Sequence, residues 1–177
     1  MNTHQITKVL ASDNYTNPSF RGVFSRDHFI SEQILYPGLY ICNTDNSDSP
    51  GEHWVLIYFI SPDYCEYFDS YGLPPWHKDL LQKLSMNAAL TSYSNTPLQG
   101  LSTTVCGQYC LIYALFRLRN YSRDYIINLL RDAVTTEMRD HVVHAFINLH
   151  YNAIITNYKL LDVHTQNSKS LCSYKIQ

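Results

Sequence analysis

The run Trp54-Val55-Leu56-Ile57-Tyr58-Phe59-Ile60 is the strongest constraint this chain places on its own fold. It is near-continuously apolar, of strand length, and rich in aromatic and β-branched residues, which is the pattern of a strand buried on both faces. Ser61-Pro62-Asp63 reads as a turn, and Tyr64 to Asp69 returns as a second strand. The two form an antiparallel hairpin at the centre of a sheet. A strand of this kind needs cover on both sides, and the remaining sequence supplies helices.

Residues 3–11, with Ile6, Val9 and Leu10, have the spacing of a short amphipathic helix, and 14–27 is rich in turn formers and reads as loop. Leu39 to Cys42 reads as a short strand, followed by a polar turn over 43–51. Pro74-Pro75 introduces a helix over about 76–90, and Thr91 to Gln99 reads as another strand. From Cys106 to Leu118 the pattern is helical, with Cys110, Ala114 and Leu118 in one row. Two further amphipathic helices are expected at about 122–131 and 136–150. The fold class is α+β: a central mixed β-sheet packed between helices. We expect one domain over 1–160, since 177 residues suit a single core, and a polar tail over 161–177.

Composition narrows the function. The formal net charge of −2 provides no global field for nucleic acid, leaving only a local cluster at Arg117, Arg119, Arg123 and Arg131. The N-terminal segment has no apolar run of the secretory type, and no stretch is long enough to span a membrane. Five cysteines, an odd number at irregular spacing, fit free thiols in a reducing intracellular setting. The 15 tyrosines supply amphipathic rings for packing and for lining a groove.

Four residues carry the chemistry, in the order His53, Asp69, Gln99, Cys106. Cys106 falls in the first turn of its helix, where partial positive charge and free N–H groups favour a thiolate and could hold an oxyanion. Gly107 beside it removes side-chain bulk where a substrate backbone must come close. His53 precedes the buried strand, so its ring projects at a strand end, and imidazole is the base suited to neutral pH. Asp69 ends the paired strand, where an acceptor could orient that ring. Gln99, seven residues before Cys106, has an amide able to complete an oxyanion hole. Each residue alone has a plainer role: a core thiol, a surface histidine, a turn aspartate, an exposed loop glutamine. A zinc site from Cys106, Cys110, His141 and His144 fits poorly, because zinc ligands usually pair across turns.

The set His53-Trp54, Phe68-Asp69-Ser70-Tyr71-Gly72, Gln99 and Cys106-Gly107-x-x-Cys110 resembles the adenovirus protease (adenain) family. That family belongs to a clan that includes the ubiquitin-like-protein (SUMO) proteases. Phe20-Arg21-Gly22-Val23-Phe24 and Ile41-Cys42-Asn43-Thr44, ahead of Gly51-Glu52-His53-Trp54, are similar to adenain's approach to its histidine, and the likeness runs over about residues 5–150. The resemblance implies a cysteine endopeptidase with Cys106 as nucleophile, His53 as base, Asp69 as orienter and Gln99 as oxyanion donor. It places Trp54 in a narrow tunnel admitting glycine, with Gly51, Glu52 and Gly107 also contacting substrate. It also implies cleavage of viral structural precursors at Gly-containing sites during maturation, in the host nucleus or virion.

No metal or other cofactor is expected to be required. A peptide or DNA activator would follow the family pattern, but Asn87-Ala88-Ala89 lacks the cysteine that ties adenain to its peptide. The expected partners are polypeptide substrates, with nucleic acid only through a local patch, no membrane, and a monomeric state. The alternatives are a SUMO-type deconjugating protease, which uses the same residues, and a catalytically idle protein of the same fold.

Overall fold

The computed structural model describes residues 1–132, 135–150 and 152. The strands are β1 (Phe20–Phe24), β2 (Gly38–Asn43), β3 (Trp54–Ser61), β4 (Tyr64–Phe68) and β5 (Leu90–Tyr93). The helices are α1 (Thr3–Ser12), α2 (Arg26–Ser31), α3 (Lys78–Asn87), α4 (Cys106–Arg117) and α5 (Arg123–Arg131), and a further helix, α6, runs through 136–150. The five strands form one mixed sheet in the order β1-β2-β3-β4-β5. The apolar run is therefore the middle strand, antiparallel to both neighbours. The outer pairs, β1–β2 and β4–β5, are parallel, so each requires a crossover. α2 and α3 lie on those crossovers.

Alternation along the strands divides the core into two layers. Leu39, Ile41, Leu56 and Phe68 pack with Ile6, Val9 and Leu10 of α1, with α4, and with Ile126 and Leu130 of α5. Tyr40, Cys42, Val55, Ile57, Phe59 and Tyr67 face the other way, toward Phe29 of α2 and Leu80 and Leu84 of α3. This is the double cover expected of a strand that is apolar throughout. α4 is the most enclosed helix, with every residue from Cys106 to Leu115 buried. Val143 and Ile147 bring α6 onto the same layer.

Two segments depart from the sequence expectation. The stretch 14–27, read as loop, contains β1 and the start of α2. β1 is an edge strand whose residues are all half-buried and which includes Gly22, so it lacks the alternation that identifies strands. The strand expected over Thr91 to Gln99 stops at Tyr93, and residues 94–105 have no regular structure. Pro97 has no N–H for a ladder, and the chain there turns toward the site. The polar tail expected over 161–177 lies outside the described residues, as does Cys172. Among the described residues, no helix is long and apolar enough to cross a membrane.

Three of the four arginines in the cluster have carboxylate partners. Arg117 pairs with Glu66, Arg119 with Asp13 and Arg123 with Asp124. Opposite charge at contact distance cancels the field that would attract phosphate.

Candidate active site

Three of the four predicted residues are placed by the sheet and by the helix that crosses it. The register Leu56↔Phe68 sets the residue before β3 beside those following β4. His53 and Asp69 thereby meet, with His53 Nε2 3.0 Å from Asp69 Oδ1 and both side chains buried. α4 runs over this end of β3, and the Cys110 thiol donates to the Trp54 carbonyl at 3.4 Å. Cys106, the first residue of α4, is thus set over His53. No side chain caps this helix end, because Val105 offers no acceptor. The first-turn N–H groups keep their partial positive charge for whatever lies at Cys106.

Electrostatically, Cys106 and His53 behave as a pair. Burial alone would disfavour the imidazolium, but the hydrogen bond to Asp69, with the nearby Cys106 thiol, outweighs it, raising the His53 pKa to about 9. Burial would likewise push the Cys106 thiol up. The nearby His53 ring, followed by the Trp54 backbone, the His53 charge and the Gly107 backbone, turns the shift downward. His53 Nδ1, the nitrogen not facing Asp69, makes no strict hydrogen bond. A contact looser than a formed bond is usual in resting catalytic sites. The direction for both groups is toward a thiolate–imidazolium pair. Cys110, one turn further along α4, shows that the helix alone does not do this: full burial drives its thiol well above 9.

Gln99 is 4% exposed, not an exposed loop residue. Its Oε1 accepts from Ser70 Oγ at 2.7 Å, and its Nε2 donates to the Thr103 carbonyl at 2.7 Å and to the Tyr71 hydroxyl at 3.3 Å. Both amide protons are therefore engaged, and the longer bond, to Tyr71, is the one a carbonyl oxygen could most readily replace.

Tyr71 and Ser70 are participants that sequence reasoning named within a motif but gave no task. Tyr71 stacks on the His53 ring, with centroids 4.7 Å apart and planes at 27°, and its N–H donates to Asp69 Oδ1 at 2.7 Å. An Asp bonding the N–H two residues on is an Asx turn, and that spacing was the available signal. Gly72 completes the turn at φ +71°, where a Cβ would lie 2.7 Å from the Thr96 carbonyl carbon. Only glycine lets this turn lie against the loop that carries Gln99.

The residues assigned to substrate contact are not all together. Gly51 and Trp54 line a cleft of about 470 Å³ with Phe24, His28, Asn43, Pro50 and others, while Glu52 is exposed outside its lining. The Trp54 indole N–H donates to the Met1 carbonyl at 3.1 Å. Gly107 is buried, and a Cβ there would meet Met1 at 3.2 Å and the Trp54 ring at 3.3 Å. Its missing side chain thus admits the N-terminal segment and the indole. Among the described residues, no three His, Cys, Asp or Glu side chains converge as metal ligands. His144 bonds instead to Gln108 and Asn148, and His141 to the Glu137 carbonyl.

This architecture is shared with known proteins. The chain superposes on the central domain of an uncharacterized Legionella pneumophila protein with a TM-score of 0.53 and 17% identity, over 88% of this chain and 98% of that one. It also superposes on the crystal structure of an African swine fever virus protease, with a TM-score of 0.50 and 21% identity, over 81% of this chain and 66% of that one. In sequence, the chain is similar to a cysteine protease of African swine fever virus from a Malawi tick isolate, at 33% identity over 115 residues. A Kenyan pig isolate's version, named a SUMO-1 cysteine protease, is 32% identical over the same length. These matches cover 58% of this chain, which spans under half (42%) of the length of those relatives. No family model matches the sequence.

Proposed function

We propose that the chain is a cysteine protease in which Cys106 is the nucleophile, His53 the acid and base, Asp69 the orienting carboxylate and Gln99 an oxyanion donor. The observation that carries this reading is the linked series Cys106–His53–Asp69 at the uncapped start of α4. The Cys106 thiolate attacks the scissile carbonyl, and the oxyanion is held by first-turn N–H groups and by the Gln99 amide in place of its bond to Tyr71. The His53 imidazolium then protonates the leaving amine, and in its neutral form activates the water that releases the acyl group. A peptide or DNA activator would act on top of this route, which uses protein groups only.

The substrate class we propose is viral or virus-like structural precursors cut at Gly-containing sites during particle maturation, by a monomer working in a reducing host compartment or virion. Its support is the resemblance to adenain and the position on the cleft of Gly51 and of Trp54, the residue that follows His53 in sequence. Deconjugation of a ubiquitin-like modifier is the second reading, favoured by the name SUMO-1 cysteine protease carried by three of the relatives.

Cys106→Ala should reduce cleavage of a Gly-containing peptide by about 10⁶-fold, the scale set by removing a nucleophile from a catalytic triad. A mutant that still turns over at the wild-type rate would end the protease reading. A SUMO-based suicide probe separates the two substrate classes: labelling of Cys106 by the probe, without peptide cleavage, favours deconjugation.

A further inference from the structure

The loop over 94–105 has no regular structure, yet it carries Gln99 and leads into Cys106. The Leu98 and Gln99 N–H groups both donate to the Ser70 carbonyl, and beyond that anchor the loop is held by side-chain bonds that converge on one carboxylate. Asp140 of α6 is 3% exposed. Its Oδ2 accepts from the Gly100 N–H at 3.0 Å and the Thr103 hydroxyl at 2.8 Å, while Oδ1 accepts from the Tyr109 hydroxyl at 2.7 Å. Thr103 in turn offers its carbonyl to Gln99 Nε2. Tyr109 lies three residues after Cys106 in α4 and also reaches the Leu98 carbonyl at 3.1 Å. The neighbouring Arg139 donates to that carbonyl at 2.7 Å. One buried side chain thus joins Gly100 and Thr103, which follow Gln99, to the helix that begins with the nucleophile. Gly100 is fitted to this: a Cβ there would lie 3.1 Å from Asp140 Oδ2.

We propose that Asp140 is a positioning residue for the oxyanion site, fixing the Gln99 amide relative to Cys106. The inference rests on the protease reading. Asp140 touches neither the thiol nor the imidazole, so its effect is confined to the step in which charge develops on the attacked oxygen. A small misplacement of an oxyanion donor lowers the rate by up to about a hundredfold.

The test is Asp140→Asn, which keeps the shape but turns one acceptor into a donor facing Tyr109 or the loop. Three quantities are read: kcat and KM on a Gly-containing peptide, the affinity for a peptide aldehyde ending in glycinal, and the rate of Cys106 alkylation by iodoacetamide against pH. The aldehyde forms a tetrahedral hemithioacetal and needs the oxyanion site, whereas alkylation needs only the thiolate. We expect kcat to fall about ten- to a hundredfold with KM little changed and aldehyde affinity falling in step, as for a displaced oxyanion donor. The alkylation profile should stay in place. Retained kcat and aldehyde affinity would overturn the proposal, as would alkylation falling in parallel. If Asp140→Asn does not fold, Thr103→Val removes one arm of the clamp at nearly constant volume and should give the same split at smaller amplitude. A wild-type protein that neither cleaves nor shows a selectively reactive Cys106 would bring down the protease reading and this inference together. An active wild type with an unaffected variant would bring down this inference alone.

Discussion

Each end of α4 lies by a buried carboxylate borne on or just past β4, bonded directly to the helix at one end and facing His53 at the other, and the two ends are built for different purposes. At its C-terminal end, Glu66 accepts from Arg117 through both oxygens, at 3.0 and 3.1 Å, and from the Tyr113 hydroxyl at 2.9 Å. Burial would weaken the Arg117 charge, but the bonds to Glu66 reverse that and raise its pKa above an already high value. Arg117 therefore keeps its charge at any pH the fold meets. At the N-terminal end, Asp69 uses one oxygen for His53 and Tyr71, and its Oδ2 is buried without a partner. The cation it faces is a histidine, which can lose its proton. A fully satisfied pair with a permanent cation fixes a helix; an incompletely satisfied one with a titratable cation can do chemistry.

Asp69→Asn is the strongest way to break this contrast. It preserves the shape but removes the charge that holds the imidazolium, and by analogy with other triads it should lower kcat by about 10²–10⁴-fold. The pH profile gives a second readout. The reactive pair exists above the lowered pKa of Cys106 and below the His53 value of about 9, so kcat/KM should be bell-shaped with its alkaline limb near 9. The two groups titrate as a pair, so the limbs report macroscopic values. With Asp69 neutralised, the alkaline limb should move down toward 6.5, the ordinary value for histidine. A limb that stays near 9 in the variant would mean that Asp69 does not sustain the imidazolium.

Glu66→Ala tests the other end. It leaves Arg117, whose side chain is 21% exposed, without its carboxylate partner. Removing one member of a buried pair costs about 3–5 kcal/mol, and the partial exposure of Arg117 places this case at the lower figure. Denaturant unfolding should show that loss, while the pH limbs of the remaining folded enzyme stay in place. Movement of those limbs would mean that the two ends of α4 are coupled.

The same contrast explains what could be read from the sequence. The β3–β4 pairing, the helix opening at Cys106, and the meeting of His53 with Asp69 depend on local periodicity and short turns, and these are written in consecutive residues. The loop bearing Gln99 depends on Asp140, which lies 41 positions away in sequence from Gln99 and is held there by tertiary packing. Nothing near Gln99 announces that partner, and the strand expected over Thr91 to Gln99 ends at Tyr93. β1 was lost for a related reason: an edge strand takes its conformation from its neighbour, not from its own pattern. Gly107 is the instructive case among the site residues. In the sequence it reads as a place where a substrate backbone comes close, and in the structure the groups that lie there are Met1 and Trp54.

Tyr71 gives the smallest effect and the finest test, because it contacts both the imidazole and the proposed oxyanion donor. Its ring covers His53, and its hydroxyl accepts the longer of the two Gln99 bonds. Tyr71→Phe keeps the stacking and deletes the acceptor. If substrate carbonyl oxygen replaces the Tyr71 hydroxyl as the partner of Gln99, the free enzyme loses a ground-state bond worth about 1 kcal/mol that the transition state never had. The variant should then be slightly less stable and no slower, with kcat unchanged or raised by up to about fivefold. Tyr71→Leu removes the ring as well. It should lower kcat several-fold and loosen the imidazole, since an aromatic pair contributes about 0.5–1.5 kcal/mol beyond area burial. A large loss of kcat in Tyr71→Phe would instead give the hydroxyl a direct part in oxyanion binding, as a donor beside Gln99.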